Sequence, residues 1–492
     1  MLGIWRSHSD YQHFMVSLVN REFRHNPKSI KNHEAEILKM YHLNLDNVRD
    51  DFIPLFSVKG RPSNCQPEVL RSLLLMSSVR FGGGIDKWVN HAAASPVLCA
   101  LAGVTSDTFP GASTHRDFIA RLWQADTPSR IKRPRVKPKG KHGKNKLPSK
   151  RSGIVATLVK KALSGEVFKA IPERLLQAIF MRTAVVPSVA LGLLGNPKAL
   201  TIAGDGTCIE SNASHLGRKL CGCGRNDGTT FRCNCPRSFT DPLATWGWDS
   251  YKERWFYGYT GYLLSVHNKA LSLDLPIYMK FVEASRNDSA TAVTALAHAR
   301  YLYKDILGFG TFVADAIHDN YPTYDLCNNW GIKPVIALNG RYDDTLQSER
   351  VRFSKDYKPI CADGHEMANW GHEAKKHRIK YRCPMVTGKV KHCPYAANCN
   401  KTLYGKIIYV RLKDNLRLLT PIPRNTDEWK EVYKQRTCSE RVNNRILTDY
   451  RLEAPKRYGK MKLVFLAFAN AINVHLDAQN KLGNTSLEDL LA

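Results

Sequence analysis

The chain has no apolar run approaching the roughly 20 residues needed to cross a bilayer. Its opening, MLGIWRSHSDYQHFMV, is broken by charged and polar side chains and lacks a small-residue cleavage site. Neither a membrane span nor a secretory signal is expected. Acid is scarce: 44 Asp and Glu stand against 73 Lys and Arg, for a formal net charge of +29. It is scarcest in RIKRPRVKPKGKHGKNKLPSKR (130–151), which holds no acid and hardly any apolar side chain. Such a stretch cannot bury a core and is expected to be a flexible linker that contacts phosphate. The 13 cysteines are odd in number and clustered, which in a reducing compartment favours metal sites or free thiols over a disulfide framework.

What is present suits a folded protein of several domains. At 492 residues with 43% hydrophobic side chains, the chain can bury real cores. The excess of positive charge points to a polyanionic partner, with nucleic acid ahead of a merely basic surface and of a ribosomal or membrane-surface role. A cytoplasmic, nucleoid-associated protein is expected.

Hydrophobic spacing divides the chain. Residues 1–128 read as a small α-helical N-terminal domain, with Leu, Met and Val at helical intervals in PEVLRSLLLMSSVRF (67–81) and again in THRDFIARLWQ (114–124). After the basic linker (129–152), a helical connector (153–196) follows, for which the residues suggest no function. The period then shortens. ALTIAGDGTCI (199–209), WFYGYTGYLLSVHN (255–268) and LSLDLPIYMKFVE (271–283) read as three successive strands. A helix at 288–307, a strand at 310–316, a helix around TYDLCNNW and a strand at 333–339 come next. This order predicts an α/β, ribonuclease-H-like mixed sheet flanked by helices. Its first part (197–339) carries a Cys-rich loop (220–236). A Cys-rich, β-containing insertion (340–430) with strand-like KIIYVRL and LRLLTPI interrupts it. Its last part (431–480) includes an apolar helix at 462–476, and 481–492 form a tail.

Three carboxylates stand out. Asp205 ends an apolar strand between two glycines, which allow a turn and the close approach of a ligand, although Asp-Gly is also a common turn dipeptide. Asp315 ends the next apolar run; Asp319, four residues on, reads as a cap. Glu440 lies in YKQRTCSERVNNRILTDY, where Tyr433, Arg436 and Glu440 share one helical stripe. A guanidinium and a phenol beside a carboxylate suit phosphate held next to a metal. Gathered carboxylates need a cation to offset their repulsion. Two Mg²⁺ ions, with Mn²⁺ as a substitute, would be held by Asp205, Asp315 and Glu440.

The cysteines form two sets. Cys221, Cys223, Cys233 and Cys235 have CxC-x9-CxC spacing, and Cys361, Cys383, Cys393 and Cys399 lie in the insertion, with His365, His372 and His392 as alternates. Either set could close a structural tetrahedral zinc site; the alternative is free thiols. Seven aromatics crowd 246–262, and core packing is expected to use about half of them.

These motifs together resemble a DDE transposase of a bacterial insertion sequence, in the group with a Tyr-x2-Arg-x3-Glu-x6-Lys signature. AGDGT resembles that group's first-aspartate strand, VADAIHDNY its second, and FTDPLATWGW…WFYGYTGYLLSV its "DP-A-x-x-G … YGYK" stretch. GRPSNCQPEVLRSLLLMSSV resembles the helical domain that often precedes such a core. The resemblance, spanning about 60–475, implies metal-dependent hydrolysis and strand transfer at element ends by Asp205, Asp315 and Glu440. It also implies phosphate contacts from Tyr433 and Arg436 and a homodimer or larger assembly on DNA. The chain departs from the group at Leu447, where the signature has Lys, and at Thr260, where YGYK has Lys. Arg441 and Arg445 are the candidates to replace the first of these charges. The rival expectation is a catalytically inactive, zinc-stabilised DNA-binding protein derived from a transposase; a plain nuclease of the same fold is a third.

Overall fold

The structure, a computed structural model, describes residues 1–131, 153–166, 172–222, 235–342, 345–346, 351–399, 402–453, 458–483 and 485–491. Most of the expected linker, together with Cys223 and Cys233, lies outside the described residues. No helix among the described residues is long and apolar enough to cross a membrane.

The centre is a mixed sheet of six strands: β1 (Leu200–Glu210), β2 (Thr245–Asp249), β3 (Arg254–Asn268), β4 (Leu273–Glu283), β5 (Phe309–Ala314) and β6 (Lys333–Ile336). The long β3 pairs antiparallel with β1 on one side. On its other side it pairs with β4 along 259–268 and with β2 along 254–258. Beyond β1 the sheet turns parallel, β1 to β5 and β5 to β6. β3 is buried almost without interruption from Phe256 onward. Alternation is lost because helices cover both faces of the sheet.

Those helices are Asp288–Leu302 and Thr437–Asn444. Successive strand residues point to opposite faces. Asp205 meets Asn443 of one helix, whereas a side chain at Gly206 would strike Asp288 of the other at 2.7 Å. The two helices therefore lie on opposite faces.

In the N-terminal region, the helix Gln66–Ser78 is buried along its whole length. It packs against the long helix Lys460–Leu482, which also covers β4. Two asparagines on that long helix fix the join: Ser77 donates to Asn470 Oδ1 at 2.6 Å, and Asn473 donates to the Leu74 carbonyl at 3.0 Å. His475 bridges Ser188 and the Pro276 carbonyl of β4 (2.8 and 2.7 Å). One continuous apolar core therefore runs from Tyr11 and Leu73 through the sheet to Phe468. In the connector, Ile154–Leu163 packs on the helices Asp288–Leu302 and Tyr321–Trp330.

The insertion forms its own three-stranded antiparallel sheet from Ala368–Glu373, Arg378–Arg382 and Ile407–Arg411. LRLLTPI (416–422) is not a strand. It runs as turns, because the buried guanidinium of Arg417 reaches back to Asp319 and that of Arg424 to the Ile336 carbonyl and Tyr324. The aromatic crowd divides as expected: Phe256, Tyr257, Tyr259 and Tyr262 are buried, while Trp246, Trp248 and Trp255 are exposed.

Candidate active site

Register brings the first two carboxylates together. β1 and β5 run parallel with Ala203 opposite Val313, so two residues further on each strand Asp205 comes level with Asp315. β5 stops at Ala314, and Asp315 begins the turn after it. Asp205, in contrast, sits in the middle of β1 rather than at its carboxyl end. Its glycine neighbours serve packing rather than a turn. A Cβ at Gly204 would meet the Tyr262 hydroxyl at 2.5 Å, and one at Gly206 would meet the Asp288 carboxylate.

The electrostatics of the pair divide. Burial first, then the charges of Asp315 and Asp288, push the Asp205 carboxyl up to about 7, with Arg436 opposing. Burial also works to raise Asp315, but the hydrogen bond and charge of His318 outweigh it and hold Asp315 below the usual range. His318 is buried; its Nδ1 donates to Asp315 Oδ1 at 2.7 Å, and its Nε2 lies 2.9 Å from the Tyr262 hydroxyl. At neutral pH Asp315 is therefore the charged member and Asp205 is poised between its two forms.

The helix Thr437–Asn444 lies across this pair. Asn443 Nδ2 donates to Asp205 Oδ2 at 3.2 Å, and its buried Oδ1 has no partner. Tyr433, Arg436 and Glu440 form the expected line in a modified way. Tyr433 belongs to a preceding helix, Asp427–Lys434, and Gln435 and Arg436 make a tight turn between the two. Tyr433 stacks on Trp429 with ring centroids 4.8 Å apart. Arg436 pairs with Glu440 at 2.6 Å. Burial works against the Arg436 charge, but Glu440, Tyr433 and Asp205 outweigh it and hold its pKa above the ordinary value. Glu440 is half-exposed and directed to Arg436, so it joins the aspartates through that guanidinium.

Position 447 does not continue the stripe. Arg445–Asp449 forms a π-helical turn, which shifts the helical phase of its own residues, and Leu447 packs against the main core. The two candidate substitutes for lysine are engaged elsewhere. Arg441 Nη2 donates to Asp274 at 2.9 Å, and Arg445 Nη2 donates to Asp477 at 2.9 Å. With Glu440 and Lys481 they border a shallow groove.

Asp319 does not cap the next helix; Asn320 does, accepting from Thr323 N–H at 3.1 Å. Asp319 is instead the fully buried anchor of the insertion, bonded by Arg417 Nε at 2.9 Å to each oxygen and by Tyr324 and the Asn339 N–H. Asp288 and His318 were not legible as site residues. In the structure Asn287 supplies the helix cap by accepting from Ser289 and Ala290 N–H, and the Asp288 carboxylate lies instead against Gly206.

The donor chemistry suits divalent metal: two partly buried carboxylates side by side, one of them pushed up by burial and by its neighbour's charge, and an orphaned amide oxygen beside them. Among the described residues, no three His, Cys, Asp or Glu side chains are grouped closely enough to hold one ion. Of the first cysteine set, Cys221 and Cys235 are described and half-buried. The second set, Cys361, Cys383, Cys393 and Cys399, lines one cavity of the insertion. No protein-family model and no curated protein matches the chain.

Proposed function

We propose that the chain is a DNA transposase that cleaves and joins phosphodiester bonds at the ends of an insertion sequence. The observation that carries the reading is the parallel register that levels Asp205 with Asp315, with the Arg436–Glu440 pair on the helix across them. A meander of three strands, then a helix, a parallel strand, a helix and a second parallel strand supports a ribonuclease-H-like core. The +29 charge supports DNA as the partner.

Asp205, Asp315 and Glu440 would hold two Mg²⁺ ions, or Mn²⁺ in their place, which when bound would activate a water or a 3′-hydroxyl of the DNA and offset charge on the leaving oxygen. The chain's own residues position the DNA. Arg436, linked to Tyr433, presents a guanidinium to a phosphate, and Asn443 fixes the Asp205 carboxyl. His318 keeps Asp315 ionised. Because two element ends must be held together, the active form is a homodimer or larger assembly on DNA, in the cytoplasm at the nucleoid.

A second reading is a catalytically inactive, zinc-stabilised DNA-binding protein. The commitment of Arg441 and Arg445 to Asp274 and Asp477 favours it, since with Leu447 no lysine-like charge remains at that signature position. Supercoiled plasmid carrying candidate ends, incubated with Mg²⁺ or Mn²⁺, separates the two. Cleavage by wild type, lost in Asp205→Asn, Asp315→Asn and Glu440→Gln with DNA binding kept, supports the enzyme, and joined products distinguish a transposase from a nuclease. Tight binding without cleavage under either metal refutes it.

A further inference from the structure

The insertion buries six hydrophobic side chains in its own core, Met367, Ile379, Tyr381, Val410, Leu412 and Leu419. Among the described residues, none comes from 383–406, the segment joining its second and third strands, so its described part contributes nothing to that core. It is held instead by tight backbone turns that start at cysteines. Thr387 N–H donates to the Cys383 carbonyl at 3.2 Å, Ala396 N–H to that of Cys393 at 3.1 Å, and Gly364 N–H to that of Cys361 at 3.1 Å. Cys399 N–H closes a further turn onto Tyr395 at 2.8 Å. These turns bring Cys361, Cys383, Cys393 and Cys399, which are 38 positions apart at most in the sequence, around one cavity floored by Pro384, Met385 and Val386. Gly405 makes room on the far side: at φ +65°, a Cβ there would stand 2.7 Å from Cys383 Cβ. None of the four cysteines is in a disulfide, and all are half-buried.

We propose that these four thiols close on one zinc ion, which takes the place of a core for the segment between the second and third strands. Four sulfur donors and no open position describe a structural site rather than a catalytic one, and thiolate is the ligand type that selects zinc or iron–sulfur over Mg²⁺. As the chain stands, no three of the donors are close enough to share an ion. Closure therefore requires the side chains to turn inward on turns already in place, each thiol releasing its proton to solvent. His365 lines the same cavity but is paired with Asp363 at 3.4 Å, and the four sulfurs complete the tetrahedron without it. The inference does not depend on the transposase reading.

The test uses the full chain, purified anaerobically, with the other cluster removed by Cys221→Ser, Cys223→Ser, Cys233→Ser and Cys235→Ser. Elemental analysis should find about one zinc per chain, and adding Cys383→Ser or Cys399→Ser should remove it, whereas Cys65→Ser should not. Because a ligand variant could fail to fold, the same background protein is also reconstituted with Co²⁺. Tetrahedral thiolate coordination should give intense charge-transfer and visible bands, and chelation should open residues 383–406 to protease. A protein without zinc, one carrying iron instead, or one whose zinc is unchanged by Cys383→Ser and Cys399→Ser would overturn the proposal.

Discussion

Replacing Asp205 by Asn should stabilise the metal-free protein while abolishing its chemistry. An acid moved from 3.8 to about 7 by burial and by Asp315 carries a penalty on its charged form of roughly 4 kcal/mol at full burial. Partial access of solvent reduces this to about 2–4 kcal/mol. The folded-state pKa lies above the unfolded one, so the folded chain holds the extra proton. Stability contributed by Asp205 is therefore present at low pH, falls as pH rises from about 4 to 7, and is level above that. At pH 8 and in chelator, Asp205→Asn removes the whole penalty, and Asn443 retains an oxygen to which it can donate. In a chain of this length the gain should raise the melting temperature by roughly 2–4 °C. Mg²⁺ should narrow the difference by stabilising wild type alone, by about 1.4 kcal/mol at ten times its dissociation constant. Thermal denaturation at pH 5 and pH 8, with chelator or Mg²⁺, reads all of this. Equal melting temperatures for the two proteins in chelator at pH 8 would show that the carboxylates do not strain one another, and the metal argument would lose its basis.

Arg436→Ala should lower the rate of strand cleavage by about 10²-fold while changing affinity for the end DNA little; a loss confined to binding would place Arg436 outside the chemistry. Arg417→Met leaves Asp319 charged and fully buried and should cost about 3–5 kcal/mol, seen as early proteolysis of the insertion, whereas unaltered digestion would mean Asp319 is not its anchor. Burial holds His475 down to about 4 from 6.5, so the unfolded chain binds the extra proton and stability should fall by roughly 3 kcal/mol as pH drops from 6.5 to 4. Urea denaturation of wild type and His475→Gln should show that slope in the first and a shallower one in the second.

Much of the sheet was legible because its strands are apolar runs of strand length. The expected 199–209 and 310–316 correspond to Leu200–Glu210 and Phe309–Ala314, and Asp205 and Asp315 could be picked out on them. The features that escaped notice depended on partners far away in the chain. Asp319 reads as a cap because its partner Arg417 is 98 residues distant. LRLLTPI has the composition of a strand, but two buried arginines fold it into turns, an outcome no local pattern encodes. Leu447 reads as a missing lysine only while the helix keeps a regular repeat; the π turn at Arg445–Asp449 breaks that repeat and gives the position to the core. Asp288 was hidden because local capping accounted for an acid at that place, and only the space left by Gly206 reveals where its side chain lies.

The helix Lys460–Leu482 has a consequence for how this protein can change over time. It is one wall of the N-terminal region and, on another side, one wall of the sheet that carries Asp205. The two regions therefore share a single reserve of stability instead of holding separate ones. A substitution that loosens the N-terminal helices draws on the stability that keeps Asp205 and Asp315 level. Such a chain cannot exchange its N-terminal region as a module; those helices and the sheet have to change together.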